Sequence, residues 1–270
     1  MRNFTGFPLM IVSAILFSSC MFVPPATEVV APSKNDMSLV WSDEFSSGSV
    51  PDSSKWDYAT GGGGWGNEEV QTYTDASANS YVSGDTLKIK AVKSGSAWTS
   101  ARLLTKGKQS WTYGYLEIRA KLPVGLGTWP AIWMLPESKT YGAVLWPDNG
   151  EIDIMEHSQT TGLYKVFATV HRNAGSGGNG ASAGYRYIGS VGSQFHTYAI
   201  EWNANEIKWF YDDEYLGIYR RSGGSGWSWW PFDQPFYLVL NVAMGGTLGG
   251  TINSALTGDI MEVDYVRVYQ

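Results

Sequence analysis

The sequence is poor in cysteine and in charged residues. Its 270 residues include a single cysteine, Cys20, which excludes an intrachain disulfide and a cysteine-based metal cluster. Charged residues make up 16% of the chain, against roughly 25% in an average globular protein. The 25 acidic and 19 basic residues give a formal net charge of −6. Because the chain has no basic surplus, we do not expect it to bind nucleic acid or an anionic membrane surface.

Long apolar runs are scarce as well. An apolar run over residues 7–17 follows Arg2, and it is shorter than the roughly 20 apolar residues that a transmembrane helix needs. A charged start, a short apolar run and small residues before Cys20 predict a secretory signal peptide over residues 1–20. The small-small-Cys ending resembles the lipobox of bacterial lipoproteins, which implies that Cys20 is lipidated. An ordinary signal peptide with an incidental cysteine is the alternative.

The export signal sets the expected location and domain plan. We expect an exported protein that is held on a bacterial membrane through a lipid on Cys20, or that is otherwise secreted. Residues 21–38 contain three prolines and show no helical or strand period, which predicts a flexible tether. Residues 39–270 then form the folded domain, a length compatible with one all-β domain of about 200–250 residues.

What the chain has in abundance is apolar residues, glycine and aromatic residues. Hydrophobic residues make up 43%, and there are 32 Gly, 13 Trp and 16 Tyr, enough for a large core with many tight turns. Apolar and charged residues alternate over residues 86–93 and 115–122, the pattern of a half-buried strand. The remaining strand candidates are the hairpin 207–219 and residues 236–242 and 263–269.

Short strands separated by turns favour one architecture. We find no amphipathic helix longer than about two turns and no repeat of about 20–50 residues. The predicted fold is therefore all-β, a single antiparallel β-sandwich. Composition leaves the topology of the sandwich open.

The most informative motif is an acidic segment over residues 150–157. On a strand, Glu151 and Asp153 point to one face, whereas strict alternation would turn Glu156 toward the core. A β-bulge, with Met155 as the extra residue, would return Glu156 to the acidic face.

Three neighbouring carboxylates suggest acid–base chemistry. Close carboxylates repel one another and raise the pKa of at least one member. Glycoside hydrolysis uses such a pair, with one carboxylate acting at the anomeric carbon and a protonated one donating to the leaving oxygen. A solvated acidic sheet face or a calcium site is the alternative. The alternating isoleucines favour a rigid strand over a calcium loop.

Aromatic residues surround this motif in the sequence. Trp129 and Trp133, just upstream, offer flat faces for sugar rings, and burial in the core is an equally supported alternative for each. Four further aromatic residues lie beside glycine-rich turns, where we expect less core burial: Trp227, Trp229, Trp230 and Phe232.

The chain resembles glycoside hydrolase family 16, and within it the bacterial laminarinases. The Glu-Ile-Asp-Ile-Met-Glu core is specific to that family, and the form with an inserted residue is the laminarinase type. The resemblance implies a jelly-roll, concanavalin-like sandwich over residues 39–270 with a concave substrate cleft. It also implies retaining hydrolysis of internal β-1,3-glucosidic bonds. The segments that carry it are residues 41–45, 67–71, 114–120, 129–135, 151–156 and 263–269.

The resemblance also implies roles for individual residues. Glu151 would be the nucleophile and Glu156 the acid/base, with Asp153 tuning their protonation and orienting the nucleophile. His171 would lie near the catalytic strand, with a purely structural hydrogen bond as its alternative role. The positions assigned to substrate contacts in the cleft are Asn67, Arg102, Trp129, Trp133 and His171.

A structural calcium ion is a further implication. Many relatives carry one on the convex side, and the matching positions are Glu44, Asp264 and the turn at Asp85. No organic cofactor is expected. We expect a monomer whose partner is a β-glucan polysaccharide. The alternatives are a mixed-linkage 1,3-1,4-glucan or a marine galactan as substrate, or a noncatalytic glucan-binding protein, although the intact acids favour an enzyme.

Overall fold

The computed structural model describes residues 32–222 and 226–270. The predicted signal peptide and Cys20 lie outside the described residues. Within them, the strands are β1 (Leu39–Asp43), β2 (Asp57–Tyr58), β3 (Gln71–Tyr73), β4 (Ser80–Ser83), β5 (Thr86–Ser94), β6 (Ala97–Ser100), β7 (Arg102–Leu104), β8 (Gly114–Lys121), β9 (Thr128–Pro136), β10 (Glu151–His157), β11 (Lys165–His171), β12 (Ala181–Tyr187), β13 (His196–Trp202), β14 (Glu206–Tyr211), β15 (Glu214–Arg220), β16 (Phe236–Met244) and β17 (Gly258–Tyr269).

Helices are short in the described part of the chain. The α-helix α1 spans Gly246–Gly249, and 3-10 turns cover Lys34–Asp36, Gly64–Gly66, Gln159–Thr161 and Gly177–Asn179. None of these helices is long and apolar enough to cross a membrane. The prediction that helices are no longer than about two turns therefore holds for the described residues.

The strands form two sheets. The outer sheet has ten strands in the order β15-β14-β13-β8-β17-β5-β6-β3, with β1 on β17 and β4 on β5. The cleft sheet has seven strands in the order β12-β11-β10-β9-β16-β7-β2. Apart from the parallel pair β3–β6, the paired strands run antiparallel. This arrangement confirms the predicted all-β, jelly-roll sandwich.

The core lies between the two sheets, and strand alternation explains how it is filled. On β8, Leu116, Ile118 and Ala120 are fully buried, as the period of two predicts. On β16, all nine residues are buried, although Asn241 and Ala243 line the cleft rather than the core.

The last residues of the predicted tether contact the folded domain. Ser38 exchanges two backbone hydrogen bonds with Gln270, and the Ser33 amide donates to Glu201. Lys34 forms an ion pair with Glu117 and lies 5.6 Å from the ring centroid of Tyr115. Residues 33–38 therefore pack on the outer sheet.

The predicted hairpin forms between β14 and β15. Its two turn residues, Asp212 and Asp213, have φ angles of 52° and 60°, in the left-handed region that tight two-residue hairpin turns require. Aspartate tolerates this region better than most residues, because its short polar side chain can hydrogen-bond locally.

The aromatic residues after residue 226 divide between core and surface. Trp227 and Trp229 are 38% and 50% exposed, as expected beside a glycine-rich turn. The same expectation is wrong for Trp230 and Phe232, which are 1% and 0% exposed. Their rings pack edge to face at 5.3 Å, and the Phe232 carbonyl accepts a hydrogen bond from the Trp202 indole, so this segment returns into the core.

Candidate active site

Strand β10 carries the bulge that the acidic motif predicted. On the β9 side, the pairing passes from Asp153 directly to Met155 and skips Ile154. On the β11 side, it passes from Asp153 to Glu156. The extra residue is therefore shared between Ile154 and Met155, rather than being Met155 alone.

The bulge turns three carboxylates toward one face. Glu151, Asp153 and Glu156 all line a cleft of about 700 Å³ that crosses the cleft sheet. The apolar residues between them are fully buried on the opposite face: Ile152, Ile154 and Met155. The facing of each side chain is as predicted, and the acids sit on a rigid strand rather than on a loop.

Two aromatic side chains of the outer sheet donate hydrogen bonds to backbone carbonyls of the bulge. The indole of Trp209 donates to the Asp153 carbonyl at 2.9 Å, and the Tyr211 hydroxyl donates to the Ile154 carbonyl at 2.9 Å. A bulge disrupts the local ladder and leaves backbone groups in need of other partners. These two side chains supply them, so the position of the acidic strand depends on β14.

Burial raises the pKa of all three carboxyl groups. For Glu151, burial is reinforced by the charge of Asp153 and opposed by His171. For Asp153, burial is reinforced by the charge of Glu156. For Glu156, burial raises the pKa and the hydrogen bond from Trp129 opposes the rise. A cluster with these pKa directions can keep one carboxyl protonated near neutral pH.

His171, on the neighbouring strand β11, faces the acids. Its Nε2 lies 3.0 Å from Asp153 Oδ2 and 3.8 Å from Glu151 Oε1. Its backbone pairs with Glu151 across the strands. In the described residues, Glu151, Asp153 and His171 are the one group of three ligand-type side chains whose atoms gather within 4.8 Å. The predicted proximity of His171 to the catalytic strand is present in the structure.

Both predicted tryptophans of β9 line the cleft. The Trp129 indole donates to Glu156 Oε1 at 2.9 Å. The Trp133 indole donates to Asn241 Oδ1 at 2.7 Å, and Asn241 lies on the adjacent strand β16. Each ring is only partly buried, so the structure favours the cleft position over core burial for both.

Arg102 lies between two tryptophan rings at the β7 end of the cleft. Its guanidinium carbon is 4.7 Å from the ring centroid of Trp65 and 4.6 Å from that of Trp133. Such cation–π contacts hold a long side chain in one orientation. The structure thus brings the predicted Arg102 to the cleft, together with Trp65, which the sequence reasoning did not select.

A hydrogen-bond network backs the same end of the cleft. Glu69 accepts from Gln71 Nε2 at 2.6 Å, from the Tyr73 hydroxyl at 3.1 Å and from Asn67 Nδ2 at 3.5 Å. Tyr73 in turn accepts from Asn241 at 3.0 Å. Predicted Asn67 lines the cleft, whereas Glu69 and Asn241 were missed. Glu69 lies within the segment 67–71 that resembles the family, and this resemblance could have identified it as a site residue.

The three predicted calcium ligands are held apart in this structure. Glu44 accepts two hydrogen bonds from Arg267, at 3.0 and 2.8 Å, and Asp264 is paired with Arg119. Asp85 occupies the β4–β5 turn with a φ angle of 54°. In the described residues, these carboxylate oxygens do not gather within 4.8 Å of one another. Arginines thus engage two of the three side chains in this arrangement.

Comparisons with known proteins agree with this geometry. Residues 66–267 match the sequence profile of Glycosyl hydrolases family 16. The "Beta-glucanase" of Rhodothermus marinus is 49% identical over 248 residues, which cover 86% of this chain and 85% of that protein. The laminarinase from Rhodothermus marinus superposes with a TM-score of 0.82 at 46% identity, covering 87% of this chain and 97% of that one.

A third relative was solved with an oligosaccharide. A point mutant of SCLam, which is described as a non-specific endo-β-1,3(4)-glucanase from family GH16, superposes with a TM-score of 0.81 at 36% identity. The match covers 90% of this chain and 97% of that one. That structure presents a 1,3-β-D-cellobiosyl-glucose at its active site.

Proposed function

The chain belongs to glycosyl hydrolases family 16, and we propose that it is a retaining endo-1,3-β-glucanase acting on laminarin-like polysaccharide. The observation that carries the proposal is the set of three carboxylates on one face of a bulged strand, inside a cleft open to a polymer. The alternative of a noncatalytic glucan-binding protein is disfavoured, because a binding module has no need to bury Glu151, Asp153 and Glu156 side by side.

The two glutamates have different neighbours. Glu151 lies 3.8 Å from His171, whereas Glu156 accepts a hydrogen bond from the Trp129 indole at 2.9 Å, and His171 opposes the rise of the pKa of both glutamates. The family motif assigns Glu151 as the nucleophile and Glu156 as the acid/base. Attack of Glu151 on the anomeric carbon forms a glycosyl-enzyme while Glu156 gives its proton to the leaving oxygen. Glu156 then removes a proton from the incoming water, which attacks the same carbon and releases Glu151.

Asp153 lies between the two glutamates and supports both steps. Its charge raises the pKa of Glu151, and the charge of Glu156 raises the pKa of Asp153, so the cluster shares protons rather than ionising completely. The side chain of Asp153 is 3% exposed and lies 3.0 Å from His171. This position suits a group that orients the nucleophile and holds His171, rather than one that contacts the leaving group.

The function is tested with a panel of polysaccharides. We expect release of reducing ends from laminarin, with internal cleavage visible as a rapid fall in chain length. Proton NMR of the first products should show the β anomer before mutarotation, as retention requires. Binding to laminarin without release of reducing ends would refute the proposal.

Mixed-linkage glucan is the second candidate substrate. The observation that favours it is the likeness to SCLam, which is described as an endo-β-1,3(4)-glucanase. Hydrolysis of barley 1,3-1,4-glucan at a kcat/KM similar to that on laminarin would support a broad specificity. A marine galactan in the same panel tests the remaining alternative.

We propose three further properties, which are export with lipidation, a structural calcium ion and a monomeric state. Export and lipidation at Cys20 would hold the domain on a bacterial membrane, and mass spectrometry of the native N-terminus would reveal cleavage at another residue if this is wrong. A structural calcium ion near Glu44 would need carbonyl ligands and a rearrangement of Arg267. Added calcium should raise the melting temperature of the wild type and not that of Glu44→Ala. We further propose a monomer, which light scattering tests.

A further inference from the structure

An exposed aromatic patch lies on the edge strand of the cleft sheet. Tyr185 and Tyr187, on β12, are 57% and 62% exposed. The register pairs Tyr185 with Phe167 and Tyr187 with Lys165 on β11. Paired residues of antiparallel strands project from the same face. We call these four residues the tyrosine patch.

A second bulge places the tyrosine patch on the cleft side of the sheet. Ser182 lines the cleft and lies three positions before Tyr185, so strict alternation would put the two on opposite faces. The pairing with β11 skips Ala183, which is 8% exposed. The skipped residue restores the phase, and both tyrosines share the face of Ser182.

The tyrosine patch continues directly from the acid/base. Glu156 pairs with Phe167 on β11, Phe167 lines the cleft, and Phe167 pairs with Tyr185 on β12. Tyr185 is thus two strands from Glu156, or about 10 Å across the sheet. The Lys165 ammonium lies 4.5 Å from the ring centroid of Tyr185 and 5.7 Å from that of Phe167, which limits the orientations of these rings.

The two ends of the cleft differ in chemistry. The β7 end holds fixed polar groups, with Arg102 between two indoles and Asn241 hydrogen-bonded on both sides. The β12 end is open and aromatic. The sugar that becomes covalently attached needs fixed hydrogen bonds, because these strengthen in the transition state. The leaving chain must depart before water attacks, so it needs an open surface.

We propose that the tyrosine patch binds the leaving-group end of the glucan chain, as a stacking surface beyond the cleft. This inference rests on the proposed function. The same surface would seat an acceptor sugar after the first product leaves. An acceptor hydroxyl then attacks the anomeric carbon, Glu156 takes its proton, and the bond to Glu151 breaks, so that a longer glucan is released in place of a hydrolysis product.

The test compares two substrates in paired variants. Tyr185→Ala and Tyr187→Ala remove the rings, and Tyr185→Phe and Tyr187→Phe keep them. We expect kcat/KM on laminarin to fall about tenfold in each alanine variant, the effect of losing about 60 Å² of apolar contact. On a nitrophenyl β-laminaribioside, which has no glucan on the leaving side, the fall should be less than twofold. The yield of transglycosylation products should fall with the laminarin activity, and the phenylalanine variants should restore both.

A matched control lies on the other sheet. Tyr215 on β15 is 37% exposed and packs against Phe210 at 6.1 Å, so Tyr215→Ala removes a partly exposed tyrosine ring that belongs to the outer sheet. This variant should leave kcat/KM on both substrates and the transglycosylation yield unchanged.

Other outcomes overturn the inference in distinct ways. An equal loss of activity on both substrates would mean that the tyrosine patch holds the donor end or supports the site. Full activity of the alanine variants on laminarin would mean that the patch does not bind the chain. If either of these two results is obtained and the wild type still hydrolyses the nitrophenyl substrate, the proposed function stands and only this inference is refuted. A wild type without activity on any β-glucan would refute both.

Discussion

The bulge of β10 should depend on the hydroxyl of Tyr211. This hydroxyl donates to the Ile154 carbonyl at 2.9 Å, and both groups are buried. Tyr211→Phe keeps the ring and leaves the carbonyl without that donor. Leaving a buried polar group unsatisfied costs about 1–3 kcal/mol, so we expect a loss of about 1.5 kcal/mol in the free energy of unfolding.

That loss is measurable by heat and by denaturant. For a domain of this size, each kcal/mol shifts the melting temperature by about 2–4 °C, so Tyr211→Phe should melt about 3–6 °C below the wild type. Activity should fall as well. The carbonyl belongs to the bulge that aims Glu156, and a misplacement of about 1 Å can cost about 100-fold in rate. We expect a fall of about tenfold in kcat/KM on laminarin.

Tyr198 provides the matched control. Its ring packs edge to face against Tyr211 at 5.1 Å, and it is fully buried. Its hydroxyl has no hydrogen-bond partner in the described residues. Tyr198→Phe removes the same atom from the same layer, and it should leave stability unchanged or raise it, with full activity. If both variants lost the same stability, or if Tyr211→Phe kept full stability and activity, the role assigned to Tyr211 would be wrong.

Three pH-dependent predictions follow from the carboxylate cluster. Trp129→Phe removes a hydrogen bond that opposes the rise of the Glu156 pKa, so the alkaline limb of the kcat/KM profile should move to higher pH; an unmoved limb would contradict the acid role of Glu156. His171 lowers the pKa of Glu151, whereas burial and the charge of Asp153 raise it. In His171→Ala the acidic limb of the kcat/KM profile should therefore move to higher pH. A shift of the alkaline limb alone would argue against Glu151 as the nucleophile. Burial raises the Glu151 pKa above its ordinary 4.5, so the unfolded state binds fewer protons than the native state, and the native protein loses stability as pH rises from 4.5 toward the raised pKa. The melting temperature of Glu151→Gln should therefore exceed that of the wild type by more at pH 7 than at pH 4. An equal gain at both pH values would contradict the raised pKa.

Local patterns in the sequence were sufficient for the strands and for the acidic face. The alternation in β8 predicted which residues enter the core, and the three-residue separation of Asp153 and Glu156 predicted a bulge. Both are properties of a short segment, because strand geometry alone decides which face a side chain takes.

Features that depend on distant segments could not be predicted. Trp230 and Phe232 follow a glycine-rich turn, yet they are buried because the chain returns beneath Trp202. Arg102 and Trp65 are 37 positions apart in sequence and meet only because β7 and the 3-10 turn Gly64–Gly66 both reach the end of the cleft. Nothing in the local sequence of either residue reports such a contact.

The division of labour between Glu151 and Glu156 is the central claim, and the anomer of an azide product tests it most directly. Glu156→Ala lacks the proton donor, so an aryl β-glucoside with an activated leaving group should still form the glycosyl-enzyme, and added azide should yield the β-glycosyl azide. Glu151→Ala cannot form that intermediate, so azide should attack the substrate directly and yield the α-glycosyl azide. The same anomer from both variants, or hydrolysis with inversion by the wild type, would contradict the account.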